Sequence, residues 1–294
     1  MNQLISFGTE HIKVDDSVLE AVGSRGKRAV SLADLNVPVC PGVVLPTEAL
    51  SVFPENATAA WSVMKEPLGV IEGAMKRRFG DPKAPLLLKM VESPMLNVRS
   101  ALPSVHHVGL CDETVAPLSE TMGETFAWQE YGYLISSILK LELLLEEDKA
   151  RTTRLKEYRE ELQAAKRKTS IQKTMSAFEG VLPAEVYSEP FFQLTHVARL
   201  FRRAFALSPT TEDSALMIQA MVYGNRDKDS SSGYLFTHHI ITGEDELQGE
   251  FFPESFDDAG KKGKKLSSLS DAHLTRLKEI ARALEDNFRE IRWI

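Results

Sequence analysis

The chain has 294 residues, of which 43% are hydrophobic and 26% are charged. This composition is typical of globular domains and excludes a chain that is largely disordered, collagen-like or a coiled coil. The 35 basic and 42 acidic side chains give a net charge of -7, so the chain lacks the overall basic field of a general nucleic-acid binder.

Targeting and cysteine signals are weak. No apolar run approaches the roughly 18 to 20 residues that span a bilayer, and residues 1–16 lack the basic and apolar regions of a signal peptide. We therefore expect a soluble, cytoplasmic protein that binds no membrane.

Cys40 and Cys111 stand far apart without a CxxC pair, which argues against a disulfide framework and a structural zinc site.

The first eighty residues predict a mixture of helix and strand. Helical spacing runs through residues 17–36, and a short extended segment with several prolines follows over residues 37–45. Residues 49–78 return to a composition that is compatible with helix.

A pair of strands is predicted next. Residues 86–91 and 95–99 are rich in apolar side chains and lie on either side of Ser93 and Pro94, which predict a turn. The second of these strands carries Arg99.

The middle of the chain is predicted to be helical. Residues 125–179 contain few turn formers, and their acidic and basic side chains alternate three and four positions apart. This charge pattern is the ordinary signature of a solvated helix face, so we do not assign it a nucleic-acid-binding or coiled-coil role.

The last third predicts another helix and then strands. Residues 191–207 are amphipathic, and residues 215–223 form an almost wholly apolar run. A long loop leads to residues 234–237, which we interpret as the hairpin partner of that run, and residues 247–252 can add a further strand.

The C-terminal part is predicted to be a loop followed by a helix. The polar residues 257–270 predict the loop, and residues 271–291 predict the helix. Asp271 is the expected N-cap of this helix.

Several segments together resemble a known family. These segments are residues 25–35 (RGKRAVSLADL), 37–49 (VPVCPGVVLPTEA), 98–101 (VRSA), 109–112 (GLCD), 219–225 (QAMVYGN), 232–237 (SGYLFT), 242–244 (TGE) and 249–250 (GE). Their residues and spacing resemble the N-terminal nucleotide-binding domain of pyruvate phosphate dikinase and phosphoenolpyruvate synthase, an ATP-grasp fold.

The resemblance implies a reaction whose requirements can be compared with the residues of this chain. It implies a cleft between subdomains that holds ATP with Mg²⁺ and passes the β-phosphoryl group to a histidine on a separate domain. Such a transfer needs fixed cations and backbone N–H groups at the phosphate oxygens, and carboxylates that hold magnesium.

The cations implied by the resemblance fall on three residues. When the alignment is extended backwards from residues 32–35, Arg28 takes the position of the family's lysine, and Lys27 lies beside it at the nucleotide. The alternative for both residues is a solvated helix start. Arg99 matches the arginine of the family's Val-Arg-Ser strand. An ungapped register over residues 85–112 places Val91 there instead.

Three further nucleotide-binding residues are implied by the resemblance, and one family residue is replaced. Gln219, Thr237 and Glu250 match family positions at the nucleotide, whereas His238 stands where the family has arginine. The two doublets His106-His107 and His238-His239 lack a third ligand at helical spacing, so no metal site is assigned to them.

The family's magnesium-binding carboxylates are not found in this sequence. They belong to a strand after the last helix, where this chain has Trp293 near the first carboxylate position and ends before the second. We therefore expect binding of ATP and Mg²⁺ to be weak or lost.

These observations predict an α+β, ATP-grasp-like nucleotide-binding domain with a helical insertion. We divide it into an N-terminal α/β subdomain (residues 1–112), the insertion (113–189) and a C-terminal ATP-grasp subdomain with the final helix (190–294). One predicted function is a kinase-type phosphotransfer module that needs a separate phosphohistidine domain or protein partner. The alternatives are a catalytically degenerate binding or structural protein, and an unrelated scaffold that binds protein through the insertion.

Overall fold

The computed structural model describes residues 5–8, 19–95, 102–207, 214–256 and 262–288. The chain divides into two compact units: unit 1 comprises Met1–Ala33 and Pro38–Met221, and unit 2 comprises Asp34–Val37 and Val222–Ile294. The three-part division at residues 112 and 189 stays a prediction.

The described residues of unit 1 contain one five-stranded sheet. Its strands are β1 (Ile5–Phe7), β2 (Gly42–Leu45), β3 (Leu88–Pro94), β4 (Val105–Val108) and β5 (Ser214–Ala220). Their order is β1-β2-β5-β3-β4, and every pair of neighbours is antiparallel.

The helices up to residue 207 fall into two groups along the chain. The first group is α1 (Gly23–Asp34), α2 (Thr47–Ser51) and α3 (Ala57–Met75). The second is α4 (Val115–Met122), α5 (Glu124–Leu145), α6 (Lys149–Ala164), α7 (Lys168–Ala177), α8 (Glu185–Ser188) and α9 (Pro190–Leu207). The mixture of helix and sheet confirms the α+β class.

Unit 2 has its own sheet. The strands β6 (Ser231–Phe236), β7 (Gln248–Pro253) and β8 (Lys264–Lys265) are antiparallel in that order, and α10 (Asp271–Phe288) follows a 3₁₀ turn at Leu266–Ser268. Strand β8 and this turn lie in the segment that the sequence predicts to be a loop, so that prediction is wrong in part.

Two predictions about strands are wrong. Strand β3 continues through Ser93 and Pro94, which pair with Ala215 and Ser214, so no turn interrupts it there. Strand β5 lies between β2 and β3, and β6 pairs with β7, so residues 215–223 and 234–237 do not form a hairpin. The predicted strand at residues 95–99 falls almost wholly outside the described residues.

The cap of the last helix also differs from the prediction. The backbone N–H of His273 donates to Oγ of Ser270 at 3.3 Å, and the N–H of Leu274 donates to the Ser270 carbonyl at 2.9 Å. Ser270 is therefore the N-cap, and Asp271 is the first residue of the helix. The negative charge of Asp271 interacts favourably with the positive end of the helix dipole.

One face of the unit 1 sheet packs against α1. The buried residues that form this cluster are Ile5, Phe7, Val22, Ala29, Val30, Val44, Val91, Ala215 and Met217. Because side chains alternate along a strand, Val91 and Ser93 of β3 point to this same face. The cluster fixes α1 against side chains of β1, β2, β3 and β5.

The start of α1 is fixed by one buried hydroxyl. The N–H of Gly26 donates to Oγ of Ser93 at 2.9 Å, and that hydroxyl donates to the carbonyl oxygen of Val22 at 2.6 Å. Gly23 has φ 67°, and a Cβ there would lie 2.1 Å from the Ser93 carbonyl oxygen. Only glycine therefore fits where the helix meets the strand.

A buried amide fixes the turn that follows β4. The N–H of Gly109 donates to Oε1 of Gln193 at 2.6 Å, and Nε2 of Gln193 donates to the carbonyl oxygens of Leu110 and Val186 at 3.1 and 2.8 Å. Gln193 thus satisfies three buried backbone groups, two of them in the turn after β4 and one in α8.

Within the described residues, no helix combines the length and the apolar character that crossing a bilayer requires.

Replacing Ser93 by alanine should destabilise the protein by about 1 to 3 kcal/mol, because the Gly26 N–H and the Val22 carbonyl lose their buried partner. Urea denaturation of Ser93→Ala and of the exposed control Ser62→Ala measures this loss. The control should stay within about 0.5 kcal/mol of the parent protein. Equal stability of the two variants would contradict the role assigned to the Ser93 hydroxyl.

Candidate functional site

The two basic residues predicted at the helix start lie at the surface. Nζ of Lys27 lies 2.7 Å from Oε1 of Glu20, and the Lys27 side chain is about one-third exposed. Arg28 follows it on α1 and is exposed. The charge of Lys27 is therefore offset by a carboxylate in a solvent-exposed pair, which contributes little to stability.

The position predicted for the strand arginine has two candidates. Arg99 lies in segment 96–101, outside the described residues. Val91, which the ungapped register places there, is in β3, only 2% exposed, and packs in the cluster beneath α1. In that register a buried apolar side chain takes the place of the cation.

Lys89 is a candidate that the sequence analysis missed. It lies two residues before Val91 on the same face of β3, directly across from Gln219 of β5. Gln219 is half-buried, and its Nε2 donates to the Cys40 carbonyl oxygen at 3.0 Å. A single lysine inside the apolar run LLLKMV was the available signal.

Arg25 on α1 is the charged neighbour of Lys89. Burial, and then the positive charge of Arg25, lower the pKa of the Lys89 ammonium group. No ion pair joins either side chain to another of the residues that the structure describes. Lys89 therefore lies across the sheet from Gln219, and the charge of Arg25 acts on it.

The first histidine doublet lies on β4. Burial, and then the charge of Lys89, lower the pKa of His106 to about 4, and its Nε2 lies 3.1 Å from Oγ of Ser104. His107 is fully buried with φ 63°, and Nδ1 lies 3.2 Å from Oε2 of Glu130. Burial, and then His106, lower the pKa of His107 to about 3. Both imidazoles are therefore neutral at neutral pH.

Glu250 lines a cavity of about 550 Å³ within unit 2. The Tyr234 hydroxyl, across from it in the sheet, lies 3.4 Å from Oε2 of Glu250. Tyr223, His273 and Arg276 also line this cavity. It combines aromatic rings, a carboxylate and a guanidinium group.

Thr237 and Glu250 line different cavities of unit 2. Thr237 is buried at the end of β6 and lines a different cavity, of about 200 Å³, together with Glu285 and Lys278 of α10. The structure therefore assigns Thr237 and Glu250 to two cavities of unit 2.

The second histidine doublet has partners of its own. Nδ1 of His238 lies 2.5 Å from Oε1 of Glu285. Nδ1 of His239 accepts from the backbone N–H groups of Ile241 and Thr242 at 3.4 and 3.2 Å. Among the residues described, no three His, Cys, Asp or Glu side chains are grouped so that they could hold a metal ion.

The chain aligns with curated proteins over most of its length. It is 34% identical over 280 residues to the pyruvate, phosphate dikinase of Treponema pallidum (strain Nichols), which covers 92% of this chain and 31% of that protein. It is 26% identical over 274 residues to the chloroplastic enzyme of that name from Mesembryanthemum crystallinum, covering 85% and 29%. The Rhizobium meliloti (strain 1021) pyruvate, phosphate dikinase is 26% identical over 331 residues, covering 97% and 36%.

These alignments establish the family. No family model matches the chain. The chain spans about a third of the length of the curated relatives that it matches. It is a divergent domain of the pyruvate, phosphate dikinase family.

Replacing His107 should change how stability depends on pH. Because the folded pKa of about 3 lies below the ordinary value of 6.5, the unfolded state binds more protons between these values. Stability due to this residue is therefore complete above pH 6.5 and falls as the pH falls, by at most about 1.4 kcal/mol per pH unit.

His107→Asn tests this, because asparagine tolerates a positive φ. We expect a smaller loss of unfolding free energy between pH 6.5 and pH 4 than in the parent protein, measured by urea denaturation. The exposed control His273→Asn should keep the parental slope. An unchanged slope in His107→Asn would show that His107 is not buried as a neutral imidazole.

Proposed function

We propose that this chain is an ATP-grasp nucleotide-binding domain that binds ATP and takes part in phosphoryl transfer with a separate phosphohistidine domain or protein partner. Membership of the pyruvate, phosphate dikinase family supports the reaction class. The relatives are longer proteins, which fits a chain that works with further domains.

The observation that carries the proposal is the cavity around Glu250. Its volume of about 550 Å³ is within the usual range for small-ligand sites. The lining residues Tyr234 and Leu235 supply an aromatic ring and an aliphatic side chain, and the lining residues Asp229, Ser230 and Ser231 are polar. An adenosine group needs this combination of ring contact and a few polar partners.

Magnesium fits the described residues less well than ATP does. A Mg²⁺ ion that bridges phosphates needs oxygen ligands, usually one or two carboxylates with waters. The described residues contain no grouped set of three potential ligands. Residues 289–294, where the sequence analysis expects the family's carboxylates to be replaced, lie outside the described part. We therefore assign no step to a metal ion.

The alternative is a catalytically degenerate relative that acts as a binding or structural protein. Three features favour it: Val91 is buried in the core, Lys27 is paired with Glu20, and His238 is paired with Glu285. In each case the residue contacts the protein at a position expected to face the nucleotide, which for Val91 is the position given by the ungapped register. Nucleotide titration separates the two proposals.

ATP should bind weakly in the presence of magnesium. We expect a dissociation constant no tighter than about 100 µM by isothermal titration, which corresponds to roughly 5 to 6 kcal/mol. Glu250→Gln should weaken binding about tenfold, because it removes a charged acceptor from the cavity. The exposed Glu254→Gln is the matched control and should bind like the parent. Absence of binding by the parent protein would support the degenerate relative.

The chain alone should not transfer phosphate. His106 and His107 are half-buried and buried, and the side chains of His238 and His239 are held by Glu285 and by backbone N–H groups, so none is a free acceptor. We expect neither acid-labile phosphate on the protein nor AMP after incubation with β- and γ-labelled ATP and magnesium. Stoichiometric phosphohistidine would contradict this, and substitution of the four histidines in turn would then identify the acceptor.

A further inference from the structure

A second cavity, of about 770 Å³, lies among the helices of unit 1. Its lining residues belong to the turn after β4, to α5, α7 and α8, and to the chain between α7 and α8. The volume is within the usual range for small-molecule sites. None of these residues lines the cavity around Glu250, so this cavity is independent of the proposed nucleotide site.

The inner lining of this cavity is apolar. Trp128 of α5 is only 7% exposed, and Leu182, between α7 and α8, is buried. Met175 of α7 is half-buried and also lines the cavity. Because an indole ring and two aliphatic side chains meet here, the cavity can take an apolar group out of water.

The charged residues that line this cavity are both acidic. Asp112 and Glu179 are exposed carboxylates, and the described lining residues include no Lys, Arg or His. Nζ of Lys168 lies 5.7 Å from the centre of the Trp128 ring, but it is paired with Oε2 of Glu124 at 3.0 Å. Lys168 does not line the cavity. The cavity therefore presents two negative charges and an indole ring.

Asp112 is held in place by buried groups. The Tyr131 hydroxyl donates to Oδ1 of Asp112 at 2.9 Å, and the backbone N–H of Asp112 donates to the Tyr187 carbonyl oxygen at 2.9 Å. Tyr131 is fully buried, and burial, and then the negative charge of Asp112, raise the pKa of its hydroxyl. A hydroxyl that stays protonated keeps donating, so the carboxylate is oriented before a ligand binds.

The turn that carries Asp112 is also fixed by side chains. The backbone N–H of Cys111 donates to Oγ1 of Thr114 at 2.8 Å, and that hydroxyl donates to the Gly109 carbonyl oxygen at 2.9 Å. The Gly109 N–H is bound by Gln193. Asp112 ends the segment GLCD, a family-like motif that the proposed nucleotide site does not use.

We infer that this cavity binds a small organic cation, in which an ammonium or guanidinium group is attached to an apolar body. The apolar body would pack against Trp128, and the cation would donate to Asp112 and face Glu179. A charged donor on an oriented carboxylate forms one of the stronger hydrogen bonds in proteins, and an indole ring attracts a cation. An anion would be repelled by both carboxylates.

The test uses two probes that differ in charge and two matched variants. Phenethylamine and 2-phenylethanol share a ring and a chain, but only the amine carries a charge. Asp112→Asn removes the carboxylate charge and keeps an oxygen that can accept from Tyr131. Glu113→Gln makes the corresponding change at the adjacent exposed carboxylate, which does not line the cavity. Each probe is titrated into the parent and both variants at low salt, by isothermal titration.

Phenethylamine should bind the parent protein about tenfold more tightly than 2-phenylethanol, because only the amine forms a charged hydrogen bond. Asp112→Asn should weaken phenethylamine binding about tenfold, whereas Glu113→Gln should stay within about twofold of the parent. Equal affinity of the parent for the two probes would overturn the inference. So would equal phenethylamine affinities of the two variants, or no phenethylamine binding by the parent.

A measurement on the unsubstituted protein covers the case in which Asp112→Asn fails to fold. The indole N–H signals of Trp128 and Trp61 are followed by NMR during titration with phenethylamine. Trp61 of α3 packs against Phe191, with ring centres 4.6 Å apart, and does not line the cavity. The Trp128 signal should shift and the Trp61 signal should shift much less. Equal shifts of both signals, or no shift at Trp128, would overturn the inference.

Discussion

The buried hydroxyl of Ser93 is the contact on which the arrangement of unit 1 depends. It accepts from the backbone of Gly26 and donates to that of Val22, so one side chain of the sheet satisfies both sides of a helix start. Two helix-terminal groups that would otherwise be buried without partners are thereby paired. The same contact sets the distance between α1 and β3, which only glycine at position 23 permits.

The Ser93 contact determines which charged side chains of α1 and β3 lie near each other, as well as how their apolar side chains pack. Once α1 is fixed on β3, its apolar side chains meet Val91, and Arg25 is held near Lys89. The helix cannot move away from the strand to relieve the repulsion without breaking the Ser93 bonds.

The fold could be predicted from the sequence where its signals are local. Residues 191–207 show clear helical periodicity, and the helix found there begins at Pro190 and ends at Leu207. Strand pairing could not be predicted in the same way, because β5 pairs with β2 and β3, far away along the chain. Pro94, the last residue of β3, pairs with β5 but lies beyond the residues that pair with β4, so the strand is an edge there and tolerates proline; its turn propensity therefore did not decide the structure.

The candidate site was predicted only in part, for a related reason. The motif resemblance led to Gln219 and Glu250, which the structure places on β5 and β7. Lys89 was missed because its importance depends on cross-strand register and on a helix some sixty residues earlier in the chain. Ser93 was interpreted as a turn residue, since its bonds to Val22 and Gly26 cannot be deduced from its sequence neighbours.

The most direct test of the central claim is hydrogen exchange at the backbone amide of Gly26, measured by NMR. Because this N–H donates to the buried Ser93 hydroxyl, the account predicts slow exchange in the parent protein and much faster exchange in Ser93→Ala. The exposed control Ser62→Ala should keep the parental exchange rate. A Gly26 amide that exchanges equally slowly in Ser93→Ala would contradict the account.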